Sequence, residues 1–209
     1  MHEYIRELHY IVAIGNISSI LENGILCYEL ASNMAHTSVA LEEVQERRAK
    51  KRIPGGQLLH RYVNLYLNAR NPMLFRLMKN VSEDLCILRI DKGVIEHLGV
   101  VLTDRNASSD YVTFYTLSES VGKLDVDRIY ARYWKHDDQI EEWEHKSIIC
   151  AEVLVPHSVT AKHIIGAYVT SEHSRESLLR AGFDREILIN PDMFFNMQIQ
   201  TKEIGRAHV

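Results

Sequence analysis

The sequence predicts an α+β fold, and three observations lead there. Candidate strands and helices are mixed without the regular alternation of a doubly wound sheet. Neither GxGxxG nor GxxxxGK[ST] follows a candidate strand, which removes the usual phosphate-loop architectures. One stretch, Ser147–Pro156 (SIICAEVLVP), is apolar on both faces and reads as a strand over Ile148–Val155. Its exception is Glu152, an ionisable carboxylate in a run that otherwise wants to be dry. An unpaired buried carboxylate costs several kcal/mol or takes up a proton. Two readings follow: an edge strand with Glu152 facing water, or a carboxylate held in a cleft by a rigid element.

Taken in order, Ile11–Ile14 is a short apolar strand ending at the Gly15-Asn16 turn. Ser18 or Ser19 is placed to cap a short helix carrying Ile17, Ile20 and Leu21, which stops at Gly24. Ile25–Thr37 reads as irregular, and polar Asn33, His36 and Thr37 suit a loop over a pocket. Ser38 opens a second helix, with Val39, Leu41, Val44 and Arg48 on related faces, which ends before Pro54-Gly55-Gly56. Tyr62–Leu67 is a strand and Pro72–Met78 a short helix with proline in its first turn. Leu85–Ile90 is a strand, Asp91–Leu98 a short helix and Val100–Leu102 a short strand. Asn106–Ser109 is a polar loop, Tyr111–Leu117 suits either helix or strand, and Leu124–Trp134 has helical spacing. His136–His145 is charged and reads as exposed. Ile164–Val169 is a strand, Ser171–Ala181 a helix stopped by Gly182, and Glu186–Ile189 a last strand.

Composition narrows the class. The 209 residues, 46% hydrophobic and 25% charged, suit one domain over residues 1–198 with a polar tail at 199–209. No apolar run approaches the ~20 residues of a bilayer span, and the N-terminus lacks a signal-peptide pattern, so a cytoplasmic location is expected. Cys27, Cys86 and Cys150 are far apart, which indicates neither a zinc site nor a disulfide framework, and no metal is expected. GxSxG and HExxH are absent. A net charge of −4 argues against general affinity for nucleic acid. Against that background Arg47-Arg48-Ala49-Lys50-Lys51-Arg52 is a local cationic run, either a phosphate-attracting patch or a solvated helix end.

Four blocks in order carry a family resemblance: Tyr10–Gly24 (YIVAIGNISSILENG), Val44–Arg48 (VQERR), Leu59–Phe75 (LHRYVNLYLNARNPMLF) and Cys150–Val155. Thr103-Asp104-Arg105 and Ala131–Trp134 lie between the last two. Together they resemble the DarT family of toxins, enzymes that ADP-ribosylate DNA with NAD, over roughly residues 8–195. The resemblance implies an ADP-ribosyltransferase-like fold: two small packed β-sheets with helices around an NAD cleft. It places the catalytic glutamate at Glu152 and the active-site arginine at Arg48. On the NAD side it places Tyr10, Val12, Asn16, Gly24, Arg48 and Tyr66. On the DNA side the same resemblance and the local charge point to Arg47, Lys50, His60, Arg70, Met73, Thr103 and Arg105. Some relatives read His-Ile-Thr where this chain has Tyr10-Ile11-Val12, and Asn64 and Ala69 replace prolines.

The implied chemistry suits these residue types. Breaking the nicotinamide–ribose bond develops positive charge on the ribose, which a carboxylate stabilises while also accepting a proton from the attacking base. A guanidinium holds the pyrophosphate or the anion of the deprotonated base. The acceptor is expected to be single-stranded DNA, because a base edge is hidden in a duplex. A macrodomain antitoxin of the DarG type is the implied partner. An RNA or protein acceptor, and a non-catalytic nucleic-acid-binding module, are the competing functions.

Overall fold

The computed structural model describes residues 3–39, 42–79 and 85–195. The tail expected at 199–209, and Leu41 of the second expected helix, lie outside the described residues. Strand β1 (Glu7–Ala13) leads through a 3-10 turn into helix α1 (Ile17–Asn23), then β2 (Ile25–Leu26), α2 (Tyr28–Ala31) and α3 (Glu42–Lys50). Next come β3 (Tyr62–Tyr66), α4 (Pro72–Met78), β4 (Leu85–Asp91), β5 (Val101–Thr103) and β6 (Phe114–Tyr115). Helices α5 (Val126–Ile129) and α6 (Gln139–Ile148) precede β7 (Glu152–Pro156) and β8 (Ser158–Val159). Strand β9 (Ile164–Val169), helix α7 (Glu172–Arg180) and β10 (Glu186–Ile189) complete the order.

The class is mixed α+β, but the expected pair of small sheets is corrected. Eight strands form one sheet in the order β10-β9-β4-β1-β3-β7-β5-β6, and β2 with β8 makes a separate two-stranded ribbon. All neighbours in the large sheet are antiparallel except β9 and β10. The two halves meet between β1 and β3, where the one registered pair is His9 with Tyr66. By contrast β1 and β4 are in register along all of Glu7–Ala13. The sheet is therefore continuous but pinched to that one pair between β1 and β3. Alternation sorts the buried residues: Leu8, Val12, Leu65, Leu88 and Val153 pack on one face, Ile11, Tyr66, Leu74, Ile87 and Phe194 on the other.

Local chemistry explains where element boundaries differ from expectation. The strand expected over Ile148–Val155 starts only at Glu152, because Ile148 closes α6. That helix forms within the charged stretch expected to be exposed. Asp138 caps it by accepting from the Glu141 amide, acidic residues fill its first turn, and His145 and Lys146 end it. Its buried face is His145 and Ile148, three residues apart. The long helix expected at Leu124–Trp134 shortens to one turn, capped by Asp125; the Arg128 carbonyl lies 2.9 Å from His145 Nε2. Asp91–Leu98 is a 3-10 helix over Lys92–Glu96, with Asp91 accepting from Gly93 N. Neither Ser18 nor Ser19 caps α1; Asn16 holds the N-cap position and Ser18 donates to the Ala181 carbonyl. The segment read as irregular contains β2 and α2, and Ser38 precedes α3 without belonging to it. Gly24 has a φ of 78°, and a Cβ there would lie 2.6 Å from the Val159 carbonyl oxygen, so glycine lets α1 end against β8.

One polar cluster ties together the half of the sheet that ends in β10. Glu7 on β1 accepts from Arg89 Nε on β4 (2.8 Å) and from the Tyr168 hydroxyl on β9 (2.8 Å). Arg89 reaches on to Glu186 on β10. A side chain at Gly166 would strike the Glu186 carbonyl oxygen at 2.8 Å and crowd Arg89 at 3.2 Å. Burial alone would raise the Glu7 pKa, but hydrogen bonds with His9, Tyr168 and Arg89 outweigh it and hold the carboxyl down at about 2. A folded-state pKa below the unfolded value means the stabilisation is present above about pH 4.5 and is lost as pH falls towards about 2. Glu7→Gln is therefore expected to lower the melting temperature at neutral pH and to flatten its fall between those limits. A thermal melt series against pH checks this, and parallel curves for the two proteins would contradict it.

Candidate active site

The site is built around one buried carboxylate. Glu152 opens β7 and is fully buried. The edge-strand reading fails for that reason: β7 lies between β3 and β5. Charge burial without partners is prohibitive, and the partners are present. Arg48 Nη1 donates to Oε2 at 2.9 Å and to Oε1 at 3.2 Å. The backbone amide of Ala107 donates to Oε1 at 3.0 Å. The Glu152 backbone is fixed as well, its N–H donating to Thr103 Oγ1 at 2.9 Å.

Arg48 comes from the last turn of α3 and is itself 4% exposed. Its Nη2 is buried without a hydrogen-bond partner among the described residues. The guanidinium helps line a cavity of about 90 Å³ with Tyr10, Asn64, Tyr66, Met73 and Asn106. Tyr66 lies opposite Glu152 in the β3–β7 register. Burial, helped by the Glu152 charge, pushes the Tyr66 phenol well above its ordinary pKa, so it stays protonated and can donate. Cys150, two residues before Glu152, is pushed up to about 12 by burial and by the same carboxylate, which makes it an inert thiol.

Tyr10 also lines a second cavity, of about 60 Å³, with Val12, Asn16, Gly24, Met34 and His36. Tyr10, on β1 beside its one registered pair with β3, is common to the linings of both cavities. All six residues expected on the NAD side line one or both of them. The loop expected over a pocket is also there, since Met34, Ala35 and His36 form one wall.

The residues expected on the DNA side scatter. Met73 lines the Arg48 cavity. Arg47 is exposed and borders a wide polar cleft of about 330 Å³ with Asn106, Ser108, Asp110, Tyr111 and Ser147. Asn106 lines both that cleft and the Arg48 cavity. Lys50 is exposed at the end of α3. Thr103 is corrected: it is fully buried, and its hydroxyl serves the Glu152 amide and donates to the Arg105 carbonyl at 2.7 Å, so it braces the site from beneath. Arg105 lies 3.5 Å from Asp104. Arg70 is engaged internally, donating to the Asp192 and Arg132 carbonyls with its guanidinium 4.2 Å from the Phe195 ring. His60 packs its ring on Tyr28 at 4.1 Å, and burial, together with the Arg48 charge, lowers its pKa.

Three features of the site were not singled out from sequence. The Ala107 amide carries no side-chain signature. Asn106 was legible only as part of a polar loop. Tyr111, 83% exposed beside Arg47, was hidden in a stretch of undecided structure.

Comparison with known proteins agrees with this geometry. The family model described as "ssDNA thymidine ADP-ribosyltransferase, DarT" matches residues 9–195. A DNA ADP-ribosyl transferase–DNA ADP-ribosyl glycohydrolase fusion protein of Thermosipho africanus is 30% identical over 91% of this chain, which spans 49% of that relative. A DNA ADP-ribosyl transferase of Thermus sp. strain 2.9 is 28% identical over 65% of this chain and 69% of its own length. The structure of Thermosipho africanus DarTG in complex with ADP-ribose superposes with a TM-score of 0.81 at 28% identity, covering 91% of this chain and 51% of that one. Thermus sp. 2.9 DarT in complex with ADP-ribosylated ssDNA gives a TM-score of 0.81 at 24% identity over 93% of this chain and 98% of that one, a likeness of fold. The chain thus spans about half the length of the Thermosipho relative and nearly all of the solved Thermus structure. With the family model covering Glu152, Arg48 and both cavities, the chain belongs to the DarT family of single-stranded-DNA thymidine ADP-ribosyltransferases.

Proposed function

We propose that this chain transfers ADP-ribose from NAD to a thymidine base of single-stranded DNA, acting as the toxin of a toxin–antitoxin pair. The observation that carries the reading is the buried Glu152–Arg48 pair beside two cavities that share Tyr10 as a wall, in a chain of this family. In this reading NAD runs past Tyr10, with its nicotinamide end towards Tyr66. The bond between ribose C1′ and the nicotinamide nitrogen breaks, its electron pair leaves with neutral nicotinamide, and the positive charge on the ribose faces the Glu152 carboxylate.

The acceptor completes the step. N3 carries the only N–H of a thymidine base. As N3 bonds to C1′, its proton passes to Glu152 and from there to solvent. Arg48 Nη2, which has no hydrogen-bond partner among the described residues, meets the negative charge that builds on the base. The base enters from the polar cleft that shares Asn106 with the Arg48 cavity, where Tyr111 offers a stacking surface and Arg47 a phosphate contact. A single strand is required because pairing hides N3.

A partner that removes the modification fits this role. The Thermosipho relative joins a transferase to a glycohydrolase in one chain, and a DarG-type glycohydrolase is proposed as the antitoxin here. Among the described residues no helix is long and apolar enough to cross a membrane.

The purified protein, with NAD and a single-stranded oligonucleotide containing thymidine, is expected to yield an ADP-ribosylated product that mass spectrometry of the digest assigns to thymidine. Glu152→Gln should lower turnover by about 100-fold or more. Modification of an oligonucleotide lacking thymidine, or of RNA alone, would replace this acceptor with another. The ion pair also has a structural share. Leaving either charge buried alone is expected to cost about 3–5 kcal/mol, whereas replacing both by apolar residues should cost far less than the sum. Urea unfolding of Arg48→Met, Glu152→Leu and the double variant measures that coupling, and additive losses would mean that the two groups do not support each other.

A further inference from the structure

We infer that Asn16 is a positioning residue that latches the wall of the Tyr10–Val12 cavity, rather than a group that binds its occupant. The inference rests on the NAD reading for the identity of that occupant.

Asn16 stands at the N-cap of α1, where an Asn side chain ordinarily accepts from the helix amides, yet it makes no such bond. Both ends of its amide go instead to one residue on a distant segment. Nδ2 donates to the Thr37 carbonyl at 2.8 Å, and Oδ1 accepts from the Thr37 amide at 2.9 Å. This closes a two-point clasp across 21 residues of chain. The clasped segment contributes Met34, Ala35 and His36 to the cavity opposite Tyr10 and Val12. His36 is itself held, with Nδ1 2.9 Å from the Met34 carbonyl, which leaves its Nε2 edge free of that bond. Thr37 takes two of the four hydrogen-bonding valences of the amide, one N–H and one lone pair, and so fixes the direction of the side chain. Met34, Ala35, His36 and Thr37 are all exposed, and besides the clasp the Met34 amide donates to the Ala31 carbonyl at 2.9 Å, a bond local to the segment. Such a segment opens locally at low cost unless specific bonds close it.

Hydrogen exchange of the protein without NAD reads the latch directly. In Asn16→Ala the amides of residues 34–37 are expected to exchange about tenfold faster, the effect of losing two hydrogen bonds. Asn16→Asp keeps an acceptor for the Thr37 amide but loses the donor to its carbonyl, so it should fall between. Calorimetric titration with NAD, done in the Glu152→Gln background to prevent turnover, should show affinity weakened in the same order. His36→Ala, which alters the wall but not the clasp, should weaken NAD without changing exchange at Thr37. Weakened NAD binding with unchanged exchange in Asn16→Ala would make Asn16 a direct contact and overturn the latch. Unchanged exchange and unchanged affinity would overturn it too. If the Asn16-intact protein fails to bind NAD at all, the NAD reading falls, and the exchange comparison still decides the latch.

Discussion

The burial of one negative charge organises this molecule. Glu152 begins a strand flanked on both sides, where water cannot solvate a carboxylate. Its partners must come from the protein, and they come from distant segments: Arg48 is 104 residues away and the Ala107 amide 45. Thr103 on the neighbouring strand adds a third tie through the Glu152 backbone. The position of α3 and the path of the Asn106–Ser109 loop are thus parts of one electrostatic solution. A buried ion pair is a poor source of net stability, since desolvation takes back most of the attraction. Its presence is better explained by what the charge does than by what it holds.

The second constraint is geometric. A sheet in register throughout has no room between its strands for a ligand. Here β1 and β3 keep a single registered pair, and the cavities open beside it. Such a pinch is a weak seam, and each side is secured separately. Glu7, Arg89, Tyr168 and Glu186 cross β1, β4, β9 and β10 on one side, and the Glu152 contacts join β7 to α3 and to the loop after β5 on the other. The cleft therefore sits between two stiffened halves, an arrangement that fixes functional groups on strands rather than leaving them on loops.

This division also explains what the sequence disclosed. Ile164–Val169 and Glu186–Ile189 were legible at their observed limits because β-branched runs bounded by turn residues have few alternatives. Glu152 was legible because a carboxylate in an apolar run conflicts with its surroundings, and Arg48 because of its cationic run and the family motif. Helix α6 was not legible as a partly buried element: its buried face is only His145 and Ile148, and its capping residues look like an exposed acidic stretch. Thr103 was placed on the DNA side through the family-like Thr103-Asp104-Arg105 block, whereas its hydroxyl bonds the Arg105 carbonyl and the Glu152 backbone. One sheet in place of two rests on the single pair His9–Tyr66, which no local pattern encodes.

The distribution of cations bears on how a nucleic acid would be held. The chain is net acidic, and several of its arginines are spent internally: Arg70 on backbone carbonyls, Arg89 on Glu7 and Glu186, Arg132 on Asp192. Arg47 and Lys50, exposed on α3, remain at the surface close to Arg48 in sequence, and Arg47 borders the polar cleft. Phosphate attraction scales with the number of cations that meet the backbone, so a patch this small supplies modest, local affinity. The remaining recognition has to come from the base itself, through stacking and through groups at the cleft floor. Under the proposed function, a surface of this kind favours a short unpaired stretch over a duplex, because only the former would bring a base edge to Glu152. The helix that carries Arg47 outward carries Arg48 inward, so one turn of α3 links the exposed cationic patch to the charge at the centre of the site.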